Sequence, residues 1–153
     1  MNRLEPGQLW VIRIHAMMFA FVLGIAAIVA ETALLPRLGF PSGPVAFVAL
    51  VLISYIVFVS PGRLYRSWLY AMDKEDLRLR RGIWIETHTI VPLDRVQHID
   101  VSQGPIERGF DVCRLIVHTA GTQYSRVVLP GLSRPDAERM RDEIRARISR
   151  EEM

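Results

Sequence analysis

Lys74, Arg78 and Arg80 are the residues of this chain best suited to hold an anion. Arg78 and Arg80 alternate with Leu77 and Leu79, and alternate positions of a strand face the same way, so two guanidinium forks would share one surface. Such forks take phosphate oxygens in bidentate pairs, and the chemistry implied is capture of an anionic lipid head group. The competing account is a solvated strand face whose leucines are the buried partners. Asp73, Glu75 and Asp76 support it, because carboxylates around the three cations would repel an anion.

A second polar set, Arg95, Gln97, Gln103 and Arg108, gathers around turn-rich sequence. These side chains suit a recognition surface for a protein partner, and equally suit backbone carbonyls that irregular turns leave without donors. The four histidines, His15, His88, His98 and His118, lack metal-ligand spacing and Cys113 stands alone, so neither a metal nor any other cofactor is expected. His98 and His118 could still meet across neighbouring strands. The sequence has no nucleophile elbow, no phosphate-cradling glycine loop and no spaced carboxylate pair, which argues against an enzyme. From Arg63 to Met153, 16 Lys and Arg stand against 14 Asp and Glu, a net of +2. A nucleic-acid reader would need a basic stripe with interleaved aromatics, and none is present.

The elements that must position these residues follow from where the apolar sequence lies. Ile14 to Ala30 and Leu38 to Gly62 carry no fixed charge, giving stretches of 17 and 25 residues. A membrane core of about 30 Å needs roughly 20 apolar helical residues, so the pattern predicts two transmembrane helices, at about 11–35 and 44–60. Arg13 and His15 can snorkel at one end of the first. Glu31 near the other end reads as an interfacial carboxylate beside the exit at Pro36 and Arg37, or as an ion carrier in the bilayer. Pro36 to Gly43 suits a tight reversal, and Pro44 can open the second helix. A cleaved signal peptide ending near Ala30 fits less well, because a second span follows at once. Arg3 and Arg13 precede the pair and Arg63 and Arg66 follow it, against Arg37 alone in the loop, which predicts both termini on the cytoplasmic side. Gly24, Ala27 and Ala30 could support close helix packing in an assembly.

After Pro61 and Gly62 the sequence changes to short alternating runs, so the hairpin is assigned to 1–62 and a soluble domain to 63–153. Leu77 and Leu79, Ile83 and Ile85, and Leu115 and Val117 alternate with other residues, which predicts half-buried antiparallel strands. Turns are expected at Asp73-Lys74-Glu75, at Gln103-Gly104-Pro105 and at Ala120 to Gln123. Val96, Ile99 and Val101 slip the alternation by one position and predict a bulge. Ala137, Met140, Ile144 and Ile148 recur at helical spacing, with Ser133 placed to cap the helix start. Six or seven strands and one C-terminal amphipathic helix result.

The stretch from Ile90 to Gly121 contains Pro92-Leu-Asp-Arg95-Val-Gln97, Gln103-Gly-Pro105, Glu107-Arg108, Phe110, and Leu115 through Thr119-Ala-Gly121, and Pro130-Gly131-Leu132 follows before the last helix. This resembles the membrane-anchored bacterial family of pleckstrin-homology-like (PH-like) domains, the YdbS-like proteins. The resemblance covers essentially the whole chain. It implies a transmembrane hairpin followed by a mainly-β split barrel closed by a C-terminal α-helix. One departure stands out: Asp111 follows the Phe where the family tends to have Gly, and Asp tolerates unusual dihedrals better than most residues. Lys74, Arg78 and Arg80 also follow the spacing with which some eukaryotic relatives hold inositol phosphates.

The leading expectation is a non-enzymatic protein of the inner (plasma) membrane whose cytoplasmic domain binds a larger family relative or a second copy of itself. The alternatives are head-group binding through Lys74, Arg78 and Arg80, with membrane lipid as the partner, and an oligomeric pathway around Glu31.

Overall fold

Residues 1–34, 37, 43–120 and 126–151 are described by the computed structural model. Two apolar helices come first. Helix α1 (Gly7–Val29) continues through a π-helical turn at Ala30–Leu34. Helix α2 (Pro44–Ser54) passes through a second π turn, Tyr55–Val59, into α3 (Ser60–Ser67). The continuous lengths able to span a membrane are Gly7–Ala33 and Pro44–Ser67. At about 1.5 Å per residue they measure about 40 and 36 Å, more than a hydrocarbon core of about 30 Å. Their large side chains, among them Phe19, Phe21, Phe47 and Phe58, are exposed, as expected of helices whose solvent is lipid.

Within the unit formed by residues 12–63, the second helix starts at Pro44 as expected, with proline in its first turn. Its free N–H groups are met from the first helix: Gly43 N–H and Ala46 N–H donate to the two oxygens of Glu31, the latter at 3.3 Å. A carboxylate there also faces the positive end of a helix dipole. Glu31 therefore acts as a cap for the second helix. Gly24 faces Ile53 of the second helix, where an added Cβ would stand at an ordinary contact distance of 3.6 Å. The expected reversal at 36–43 and the expected end of the first span at Leu35 lie outside the described residues, apart from Arg37 and Gly43.

The second unit joins Leu64–Met153 to Met1–Val11. The sequence places the first eleven residues with the hairpin; the structure gives them a second attachment. Strand β1 (Asn2–Arg3) pairs antiparallel with β2 (Leu69–Met72), Glu5 N–H donates to Gly131 O at 2.8 Å, and Tyr65 Oη donates to Leu4 O at 2.7 Å. Leu4 is only 3% exposed. A two-residue strand carries too little pattern to be legible in sequence.

Strands β3 (Asp76–Arg81) and β4 (Thr87–Pro92) complete a first sheet of order β1-β2-β3-β4. A 3₁₀ turn, Leu93–Arg95, leads into β5 (Val96–Ser102), which forms a second sheet with β6 (Val112–Thr119) and β7 (Arg126–Ser133). The register shifts between Val96 and His98, where the broken alternation predicts a bulge. Leu77, Leu79, Val91, Leu115, Val117 and Leu129 meet between the sheets. A short helix, α4 (Pro105–Gly109), connects β5 to β6, and helix α5 (Arg134–Glu151) buries Ala137, Met140 and Ile144 against the same core. Ser133 Oγ accepts from Asp136 N–H at 3.2 Å, the expected cap. The result is the two-sheet, one-helix architecture that the resemblance implies.

Two expectations are corrected. Ile83 and Ile85 do not lie in a strand: residues 82–86 form the loop between β3 and β4, and Trp84 and Ile85 are each 83% exposed. The cause is Gly82, at φ +124, where any Cβ would collide with the Ile85 carbonyl, so the chain turns and the alternation lines no sheet. Gln103-Gly104-Pro105 is more than a turn, because α4 starts there. The expected turn from Ala120 to Gln123 lies outside the described residues except for Ala120, although β6 and β7 do pair as neighbours.

Tyr70 links β1 to the rest of the sheet through a side-chain hydrogen bond with Asn2. Burial, with smaller contributions from Asp136 and Glu5, raises its phenol above the usual tyrosine value. The folded state therefore prefers the neutral ring. This contribution is fully present below about pH 10, the ordinary tyrosine range, and is lost as pH rises through the folded value. Tyr70→Phe should flatten the alkaline decline of the thermal midpoint above about pH 10. An unchanged pH profile would show that Tyr70 does not carry it.

Candidate interaction surface

The three cations proposed for an anion site all lie along the β2–β3 hairpin, where Asp73 N–H bonded to Asp76 O closes the expected turn at 2.9 Å. Arg78, however, holds Asp76 through two bonds, Nε to Oδ1 at 2.9 Å and Nη2 to Oδ2 at 3.0 Å. That pairing raises the Arg78 pKa further. Arg80 is paired with Glu86. Both forks face carboxylates of the same chain, and a phosphate would have to displace them. Lys74 borders an open groove of about 410 Å³ that also contains Glu75, Asp76, Asp94 and Arg147, three acids and two bases. No strongly positive basin results.

The second set separates into two groups. Arg95 and Gln97 are exposed at the start of β5, whereas beyond its other end Gln103 precedes α4 and Arg108 lies in its last turn. At about 3.3 Å per residue, roughly 20 Å of strand separates Gln97 from Gln103. Gln103 serves the fold, since its Nε2 donates to Val112 O at 3.0 Å. Arg95, Gln97 and Arg108 keep exposed side chains.

A residue that the sequence offers only as part of the family motif makes a buried polar contact in this region. Glu107 is 4% exposed, with Oε2 accepting from Gly104 N–H at 2.6 Å. Its Oε1 accepts from Arg114 Nε at 2.9 Å and Nη2 at 2.7 Å. The N-terminus of α4 and the middle sheet strand β6 are thus tied through one carboxylate. The sequence does hold a signal for it, an acidic residue three positions after a helix-opening Gly104, half of a capping box. Beside it Asp111 adopts φ +53, so the position at which the resemblance has glycine does demand a left-handed backbone.

His98 and His118 are directly paired across β5 and β6, with ring centroids 5.9 Å apart. Asp100 bridges them, 2.9 Å from His98 Nε2 and 3.6 Å from His118 Nε2. Among the described residues, no group of three or more His, Cys, Asp or Glu side chains could hold a metal ion. Cys113 is buried, donates weakly to Leu132 O at 3.5 Å, and has its thiol pushed up by burial first and by Glu107 second. A neutral buried thiol is a poor nucleophile.

The model of the bacterial PH domain family matches residues 16–148. The chain belongs to the bacterial PH domain family. A relative covered almost from end to end is the UPF0699 transmembrane protein YdbS of Bacillus subtilis (strain 168), 30% identical over 152 residues, which are 97% of this chain and 92% of that protein. The UPF0699 transmembrane protein YdbT of the same organism is 26% identical over 81 residues, 52% of this chain but 16% of that much longer protein. No solved structure matches. The two apolar helices and these relatives make this member of the bacterial PH domain family a transmembrane protein. The family is a transmembrane PH-like one and not a known enzyme family.

Proposed function

We propose that this protein is a non-enzymatic assembly module of the inner membrane, with both termini cytoplasmic and with its PH-like domain binding another protein at the membrane surface. The observation that carries this reading is the pairing of Arg78 with Asp76 and of Arg80 with Glu86, which takes up the forks that a head group would need. Exposed Arg95 and Gln97 offer adaptable donors and acceptors at one end of β5, and Arg108 does so beyond the other, as a protein footprint requires. The partner we infer is a larger relative with the same kind of domain, or a second copy. The long relative that shares 81 residues with this chain supports the first choice.

Purification of the full chain in mild detergent tests the proposal. A stoichiometric protein partner or a defined homo-oligomer is expected, and combined Arg95→Ala, Gln97→Ala and Arg108→Ala should weaken it while leaving the thermal midpoint unchanged. A strictly monomeric chain with no associated protein would contradict it. The rival reading, head-group capture by Lys74, Arg78 and Arg80, predicts retained anionic lipid that disappears when all three are alanine.

A further inference from the structure

We propose that the tip of the β3–β4 loop, Trp84 and Ile85, inserts into the interfacial layer of the bilayer. This is independent of the assembly reading and uses other residues. Trp84 and Ile85 are each 83% exposed, the largest exposures among the described apolar side chains outside the two spanning helices. The loop is held in shape at its base: Gly82, having no Cβ to strike the Ile85 carbonyl, can hold φ +124, and Arg80 pairs with Glu86 across the loop. The two apolar side chains are therefore presented by a fixed turn.

The register of the first sheet says which end of it carries the tip. Arg80 is paired with Leu69, the first residue of β2, and Arg81 with Thr87 at the start of β4. The chain reaches Leu69 directly from Ser67, the last residue of the second membrane-spanning helix. Loop 82–86 thus lies at the end of the sheet where β2 begins, two residues along the chain from that helix. Arg81 stands over the Trp68 ring at 5.6 Å from its centroid, at that same end.

The chemistry fits a bilayer interface. Tryptophan concentrates at the head-group level because its ring is apolar in the body and polar at one edge. Exposed Arg81 beside the tip adds a cation that an anionic leaflet attracts. A two-residue convex tip is far below the roughly 800 Å² per partner of a stable protein interface, whereas insertion of one or two side chains needs no such area. Insertion would set the orientation of the domain against the membrane and so decide which surfaces face a partner.

The test uses the full chain in phosphatidylcholine–phosphatidylglycerol vesicles, with Cys113→Ala and Ile85→Cys carrying a nitroxide. The expected result is a label more accessible to molecular oxygen than to a water-soluble nickel complex, while the same label at Glu75→Cys, in the exposed turn at the opposite end of β3, shows the reverse order. An aqueous label at position 85 would overturn the proposal and leave the tip to a protein partner. A second readout keeps the native cysteine: quenching of tryptophan emission by brominated lipid should fall in Trp84→Phe relative to the unmodified chain. Equal quenching in both would also overturn it.

Discussion

Replacement of Glu107 by alanine is expected to lower the stability of the PH-like unit by about 3 kcal/mol, the cost of removing one partner from a largely buried ion pair. The carboxylate is 4% exposed and meets three donors, Gly104 N–H and two nitrogens of Arg114. Alanine leaves the α4 N-terminus uncapped and the guanidinium without its acceptor. The Arg114 side chain is 41% exposed and can recover some hydration, which holds the loss at the lower end of the range of about 3 to 5 kcal/mol. For a unit of this size about 4 to 8 °C accompany each kcal/mol, so the thermal midpoint should drop by more than about 10 °C. Glu107→Gln keeps one neutral acceptor and should cost about half as much. Thermal unfolding of the full chain in detergent, followed by near-ultraviolet circular dichroism, measures both. A midpoint unchanged in the alanine variant would refute the role assigned to Glu107.

Leu4→Ala is the second large effect, about 2 to 4 kcal/mol, from lost burial and the cavity left in a packed interior. Its consequence is architectural. Leu4 is 3% exposed and packs with Leu77, Leu132 and their neighbours, although it precedes the first spanning helix by only a few residues. The domain therefore takes its first residues, Met1–Val11, from the chain before the helix pair and the rest from Leu64 onward. Gly131, at φ +68, is where the two ends meet, since a Cβ there would press on Gln8 and Leu4. Leu4→Met conserves volume and should cost less than about 1.5 kcal/mol. Denaturation of the two variants side by side decides it, and a silent Leu4→Ala would mean that the N-terminal segment is not part of the core.

Features that repeat over several residues are the ones legible in the sequence. The two spans, the alternating apolar residues of β3 and β6, the stripe Ala137, Met140 and Ile144, and the slip at Val96 to Ile99 all express a period or a break in one. The loop 82–86 misleads because Ile83-Trp84-Ile85-Glu86 has the alternation of a strand, whereas the deciding residue, Gly82, acts through one dihedral angle. Strand β1 is hidden for the opposite reason: two residues have no period. The candidate sites are legible only as inventories. The shared face of Arg78 and Arg80 can be read from their spacing. The carboxylates that occupy their forks are legible only in part: Asp76 shares their face by the same alternation, whereas Glu86 becomes a partner of Arg80 only once the loop is folded. The four-residue set around β5 separates for a related reason, since nearness along a chain of extended residues is distance in space.

Photo-crosslinking in intact membranes decides whether the domain meets a protein. A photoreactive amino acid is placed at Gln97 of the full chain, an exposed position at the edge of the second sheet. One discrete protein adduct is expected, a larger PH-like relative or a second copy of this chain, and it should be lost when Arg95 is also replaced by alanine. Adducts to lipid alone would contradict assembly through this surface.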